Sequence, residues 1–146
     1  MCVPDELTAA ERARYARHLM LPEMGEEGQK RLLDASVMVI GAGGLGSPAL
    51  LYLAAAGIGR IGIIDDDRVD ITNLQRQVIH ATASVGSLKV ESAAIRINQL
   101  NPEVEVVKHE VRLNVENALE LLAGYDVIID GTDNFPTRYT VSDACE

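Results

Sequence analysis

Cysteine is scarce. Cys2 and Cys145 are the only two in 146 residues, they lie near opposite ends, and no Cys-x-x-Cys spacing occurs. A disulfide framework or a zinc site within the chain is therefore not expected, and a reducing cytoplasm is the natural setting. Neither cysteine reads as a nucleophile: Cys2 is terminal, and Cys145 is expected as a small core residue of a helix. Basic residues are also few. Thirteen Lys and Arg against 22 Asp and Glu give a formal charge of -9, which works against non-specific binding to nucleic acid or an anionic membrane. A local cationic pocket is not excluded by that sum. Long apolar runs are missing too: the longest weakly polar stretch, residues 45–59, is too short to span a bilayer and contains Pro48 and glycines. The opening MCVPDELTAAERARY is polar and charged, unlike a secretory leader. The expectation is a soluble cytoplasmic protein.

The apolar fraction of 47% and the charged fraction of 24% are ordinary for a globular domain, and the length suffices for one core. Residues 8–20 and 23–34 predict two polar helices, the first with Thr8 and Glu11 as a capping box. SVMVI (36–40) reads as a strand buried on both faces. It runs into GAGGLG (41–46) and then an Ala/Leu-rich helix over 47–56. A second buried strand (60–64) ends in three aspartates. The polar stretch DDDRVDITNLQRQ leads to a helix over 87–100, with Val90, Ala94, Ile97 and Asn101 near one face. A strand over 103–109, a helix over 114–123, a strand over 126–129, the loop DGTDN and a helix from Pro136 complete the chain. The alternation predicts an α/β fold: a Rossmann-like, doubly wound, mainly parallel sheet with helices on both faces (36–146), preceded by a helical arm (1–35).

GAGGLG between a strand and a helix has a mechanical meaning. Gly41 permits the tight turn, Gly43 and Gly44 let backbone N–H groups approach a phosphate, and Gly46 lets helix and strand pack closely. Asp65, at the end of the second strand and about 20 residues after the turn, is placed to bond ribose hydroxyls. This combination says nucleotide and does not separate NAD from ATP. In a parallel sheet, strand C-termini and the following helix N-termini share one edge. The glycine turn, Asp65, Asp67, the NLQRQ segment, Lys89, Asp130 and Asp133 all belong there. Cations and carboxylates converging on a phosphate site suit a reaction that builds charge on a triphosphate.

RYARHLMLPEMGEEGQKRL, GAGGLGSPALLYLAAAGIGRIGIIDDDRVDITNLQRQVIH, VGSLKVESA and DGTDNFPTRY together resemble the MoeB/ThiF family, bacterial relatives of ubiquitin-activating enzymes, from about Arg14 to Cys145. The resemblance implies an adenylyltransferase that uses ATP and Mg²⁺ to activate the C-terminal glycine of a ubiquitin-like sulfur carrier ending in Gly-Gly. VGSLKVESA leans toward the molybdopterin rather than the thiamin branch. By the same resemblance Gly44, Asp65, Asn73, Gln75, Arg76, Lys89, Asp133 and Asn134 match ATP-site positions. Gly41, Gly43, Asp67, Thr72 and Leu74 complete the implied nucleotide-binding set. Asp133 matches a Mg²⁺-associated aspartate. Arg17 matches an arginine that reaches the partner's site in family homodimers, with Arg76, Lys89 and Asp133 the other implied catalytic groups. His18 departs from the family, where glutamine is commoner. The resemblance further predicts that the chain is a fragment, with more strands, a structural Zn²⁺ site, the carrier-binding surface and a possible rhodanese-like sulfurtransferase beyond residue 146.

Simpler roles exist for each group. Arg76 and Lys89 could be solvated charges, Asp133 could cap the last helix, the three acids could solvate a loop, and Arg17 could pair with Glu11. His18, His80 and His109 have no metal-ligand spacing and read as structural or surface residues. Two other functions stay open: a nicotinamide-dependent oxidoreductase, which leaves NLQRQ, Lys89 and Asp133 unexplained, and a non-catalytic carrier-binding module.

Overall fold

Four short runs of branched apolar residues pair side by side in a computed structural model that describes residues 5–146; Cys2 lies outside them. The strands are β1 (Ser36–Ile40), β2 (Arg60–Ile64), β3 (Glu105–His109) and β4 (Val127–Asp130), in the order β3-β2-β1-β4. Every pairing is parallel. Alternate side chains of the central strands feed two cores. Val37, Val39, Ile61 and Ile63 pack on one face with Leu50, Ala54, Val90, Ala93 and Ile97. These last residues come from α4 (Gly46–Ala56) and α5 (Lys89–Leu100). Met38, Ile40 and Ile64 pack on the other face with Ala118, Leu122 and Val141, carried by α6 (Ala118–Leu122) and α7 (Phe135–Cys145). Helices thus cover both faces, and the chain reverses its winding between β1 and β4. That reversal is where a doubly wound sheet opens a binding crevice. Among the described residues no helix is long and apolar enough to cross a membrane.

The arm is fastened at the opposite edge. It comprises α1 (Ala9–Arg14), α2 (Ala16–Leu19) and α3 (Gly25–Asp34). The capping box forms: Glu11 N–H donates to Thr8 Oγ1 at 3.1 Å, and Thr8 N–H to Glu11 Oε2 at 2.8 Å. The single helix expected over 8–20 is broken at Tyr15 (φ -100°, ψ 16°). Tertiary packing overrides propensity here. Tyr15 is 3% exposed, its ring lies against Gly57, and its hydroxyl accepts from Asn101 Nδ2 at 2.9 Å. The Asn101 amide also donates to Ala54 O at 2.9 Å. His18 and Gln29 add a second tie, with Gln29 Nε2 donating to Ala56 O at 3.0 Å.

Other boundaries shift for local reasons. The helix expected over 114–123 contracts to α6 because Asn114 Oδ1 accepts from Glu116 and Asn117 N–H, while Asn117 Nδ2 donates to Arg112 O. Such side-chain bonds offer the backbone an alternative to helix. On α5 it is Ala93, not Ala94, that joins Val90, Ile97 and Asn101 in the core. Cys145 is exposed rather than a core residue, since the buried side of α7 is carried by Thr137 and Val141.

Candidate functional site

A cleft of about 710 Å³ opens at the carboxyl edge of the sheet, within the usual range of ligand sites. Its floor is the glycine turn. Gly41 has φ 92°, a left-handed conformation that glycine adopts without strain. A Cβ on Gly46 would collide with Gly41 O, so only glycine lets α4 start this close to β1. Among the described residues, no acceptor takes the N–H groups of Gly43, Gly44 or Leu45. These are free donors at the N-terminus of α4, an arrangement suited to a phosphate.

The cations stand around that turn. Arg76 lies beside Gly44, its Cδ within 3.9 Å of where a Cβ would be, and its guanidinium also donates to Thr72 O at 3.2 Å. Lys89 opens α5 with a side chain only 8% exposed, and its Nζ is 3.7 Å from Asp67 Oδ2, a carboxylate that is itself 71% exposed. Three costs meet at Lys89: burial, a helix N-terminus of the same sign, and one loose, solvated counter-ion. An anion in the cleft would offset all three.

Asp65 takes Ala42 N–H on Oδ2 and Asp67 N–H on Oδ1, each at 2.8 Å. Lone pairs remain on both oxygens for a further donor. One carboxylate oxygen from each of Asp65, Asp66 and Asp67 lies within 4.8 Å of the others. Asp133 lines the cleft, is exposed, and makes no side-chain hydrogen bond among the described residues. It is not the helix cap: Asn134 is, accepting from Thr137 N–H at 2.9 Å. Asn73 Oδ1 is likewise engaged with Asp70 N–H at 2.9 Å, leaving its Nδ2 as the free end.

Gly41, Gly43, Gly44, Asp65, Asp67, Asn73, Arg76, Lys89, Asp133 and Asn134 therefore border one cleft. Thr72, Leu74 and Gln75 do not: Thr72 is turned onto the Asp70 carboxylate, and Gln75 is exposed away from the cleft lining. Asp130 folds back on Thr132. Arg17 is exposed on α2 and absent from the cleft wall, and among the described residues it makes no ion pair with Glu11 or any other acid. Sequence reasoning missed Arg112 and Leu113, which enter from the loop after β3, and Gly131, whose Cβ would press on Ile40 O at 3.0 Å. Gln77, placed at this edge only as part of NLQRQ, is 5% exposed in the cleft wall, and its Oε1 has no partner among the described residues. Reading the second glutamine of NLQRQ on a 3.6-residue period would have turned it inward with His80.

His80 is buried behind the turn. Its Nε2 is 2.8 Å from Ala42 O and its Nδ1 2.8 Å from Ser92 Oγ. Burial holds the imidazole below its ordinary pKa, helped by the Lys89 charge and opposed by the Ala42 carbonyl and Asp65.

Free N–H groups on a glycine turn, a carboxylate at the end of β2 and a buried lysine beside them stand at the carboxyl edge of a doubly wound α/β domain, where that class binds its ligands. The chain belongs to the ThiF family, whose model matches residues 15–146. It is 59% identical over 138 residues to a probable adenylyltransferase/sulfurtransferase MoeZ of Mycobacterium tuberculosis, covering 94% of this chain and 35% of that protein. A sulfur carrier protein adenylyltransferase of Thermus thermophilus is 54% identical over 137 residues, covering 94% and 51%. Among solved structures, the E. coli tRNA N6-threonylcarbamoyladenosine dehydratase TcdA in complex with ATP superposes with TM-score 0.90 at 33% identity, covering 99% of this chain and 58% of that one. The chain thus spans between about a third and a half of these curated relatives.

Proposed function

We propose that this chain is the nucleotide-binding part of a cytoplasmic, ATP-dependent adenylyltransferase. Its substrate is the C-terminal glycine carboxylate of a ubiquitin-like sulfur carrier ending in Gly-Gly, of the molybdopterin-synthase small-subunit type. The observation that carries the reading is Lys89: a cation 8% exposed, weakly paired, and bordering the same cleft as Arg76 and the open glycine turn. The naming of relatives as adenylyltransferases supports it.

In this reading a carboxylate oxygen of the carrier attacks the α-phosphorus of ATP. The bond from that phosphorus to the bridging oxygen of the β-phosphate breaks, and pyrophosphate leaves with the electron pair. Products are an acyl-adenylate and pyrophosphate. No protein nucleophile is required, so positioning and charge stabilisation account for the rate. Arg76 and Lys89 neutralise phosphate oxygens, the Gly43 and Gly44 N–H groups bond them, and Asp65 accepts from ribose hydroxyls. The unbonded, exposed Asp133 carboxylate and the neighbouring acids at 65–67 are hard oxygen donors fit for Mg²⁺. That ion, when bound, offsets charge on the phosphates. Arg17 lies with the arm, which is tied to the far end of α4 by Gln29 on Ala56 O and Tyr15 on Gly57. Its role in this reaction is therefore supplied to the cleft of a second copy in a homodimer.

Calorimetric titration of ATP with Mg²⁺ against NAD tests nucleotide choice, and labelling of a Gly-Gly carrier from [α-³²P]ATP tests the reaction. Tighter binding of NAD than ATP, or no label transfer by the full-length protein, refutes the reading.

A further inference from the structure

We propose that His80 is a positioning residue for the nucleotide, acting through Ala42 to aim the Gly43 N–H into the cleft. The inference rests on the reading of the cleft as a triphosphate site and adds a group that sequence reasoning had left as merely structural.

Two successive peptide planes of the turn are clamped from behind. The first joins Gly41 to Ala42, and its N–H is held by Asp65 Oδ2 at 2.8 Å. The second joins Ala42 to Gly43, and its carbonyl is held by His80 Nε2 at 2.8 Å. In a planar trans peptide the C=O and N–H point in opposite directions. An Ala42 carbonyl drawn inward to a histidine only 7% exposed therefore turns the Gly43 N–H outward. Gly43 borders the cleft and its N–H has no acceptor among the described residues.

The chemistry of the partners settles the proton. Ala42 O only accepts, so Nε2 carries hydrogen and donates. Nδ1 of the neutral ring then accepts from the Ser92 hydroxyl, 2.8 Å away. Ser92 is 2% exposed on α5, the helix that begins with Lys89. One imidazole thus ties the phosphate-facing backbone to the helix that presents the buried cation.

Glutamine can copy this order, with Nε2 donating to Ala42 O and Oε1 accepting from Ser92. Leucine can copy neither bond. Binding of ATP and of adenosine to the chain is measured calorimetrically for wild type, His80→Gln and His80→Leu, with thermal unfolding recorded for each. Expected is about tenfold weaker ATP binding in His80→Leu, the worth of one misdirected hydrogen bond to a charged group. Adenosine binding should be unchanged, and His80→Gln should stay within about threefold of wild type. A folded His80→Leu that binds ATP as wild type does, or that loses ATP and adenosine alike, overturns the proposal. Should His80→Leu not fold, His80→Asn, whose shorter amide can keep the Ser92 bond but does not reach Ala42 O, is measured in its place with the same outcomes. Absence of ATP binding by wild type would instead sink the triphosphate reading itself, a different result from a variant pattern that sinks only His80.

Discussion

Replacing Lys89 by methionine separates a catalytic from a structural cation, because the two roles give effects of opposite sign. Methionine keeps most of the buried stem and removes the charge. In the nucleotide-free protein the ammonium loses hydration on burial, at a cost of several kcal/mol in other proteins. It also sits at the positive end of α5, which costs about 0.3–1 kcal/mol. Against this stands one contact of 3.7 Å to an Asp67 side chain that is 71% exposed; such a solvated pair contributes about 0–1 kcal/mol. The balance favours the neutral variant, so Lys89→Met should unfold at the same temperature as wild type or higher. Activity should move the other way. Loss of a preorganised group facing developing phosphate charge costs about 10²–10³-fold in rate, and Lys89→Ala or Arg76→Ala should lose as much. ATP–pyrophosphate exchange with the carrier present reads the rate, and scanning calorimetry reads the stability. A variant that unfolds several degrees earlier and exchanges at the wild-type rate would reduce Lys89 to an ion-pair partner of Asp67.

Further outcomes follow from other parts of the site. Gly46→Ala places a methyl on Gly41 O and should cost about 1–3 kcal/mol as overpacking, seen as a lower unfolding temperature together with lost ATP binding. Asp133→Asn should raise the Mg²⁺ concentration for half-maximal activity while leaving the unfolding temperature within a degree or two, since its carboxylate makes no hydrogen bond among the described residues. Buried His80 titrates below the ordinary imidazole value of 6.5, so between its two pKa values the unfolded chain binds the extra proton. Stability should therefore fall as pH drops below about 6.5, by at most about 1.4 kcal/mol per pH unit, and His80→Gln should flatten that slope in pH-dependent unfolding. Mixing Arg17→Ala with Lys89→Met protein should restore part of the activity that each lacks, if the arginine serves a partner's cleft; no recovery on mixing refutes that arrangement.

Which of these features the sequence disclosed depends on how local their causes are. Buried parallel strands read as continuous apolar runs, so β1 and β2 emerge from SVMVI and RIGII at their true bounds. The glycine turn and Asp65 are visible because a motif of fixed spacing fixes their geometry. By contrast, the break at Tyr15 is caused by Gly57 and Asn101, which are 42 and 86 positions away, and no local pattern carries that information. The contraction of α6 is local but easily overlooked, since Asn114 and Asn117 look helical by position and act as turn formers by side chain. At the cleft, residues carried by fixed-spacing motifs were found and residues of the loop after β3 were not. Arg112 and Leu113 have no periodicity to betray them, and only the sheet order brings that loop beside the glycine turn.

The charge around the cleft explains why Mg²⁺ and Arg17 belong to one argument. Four carboxylates border it, Asp65, Asp66, Asp67 and Asp133, against three cations, Arg76, Lys89 and Arg112. A triphosphate entering alone would meet more negative charge than positive. Asp66, Asp67 and Asp133 would favour phosphate binding only with a divalent ion between them and the phosphates, which converts repulsion into ligation. Even then, in the proposed reaction, the leaving pyrophosphate would carry charge for Lys89 and Arg76 to share. The arm carries Arg17, yet Gln29 bonded to Ala56 O and Tyr15 packed on Gly57 fasten it to the end of α4 remote from the glycine turn. A helix of 11 residues rises about 1.5 Å per residue, which sets the arm well away from its own cleft. A second copy, turned so that the arm of one meets the cleft of the other, would supply the missing positive charge without lengthening the chain.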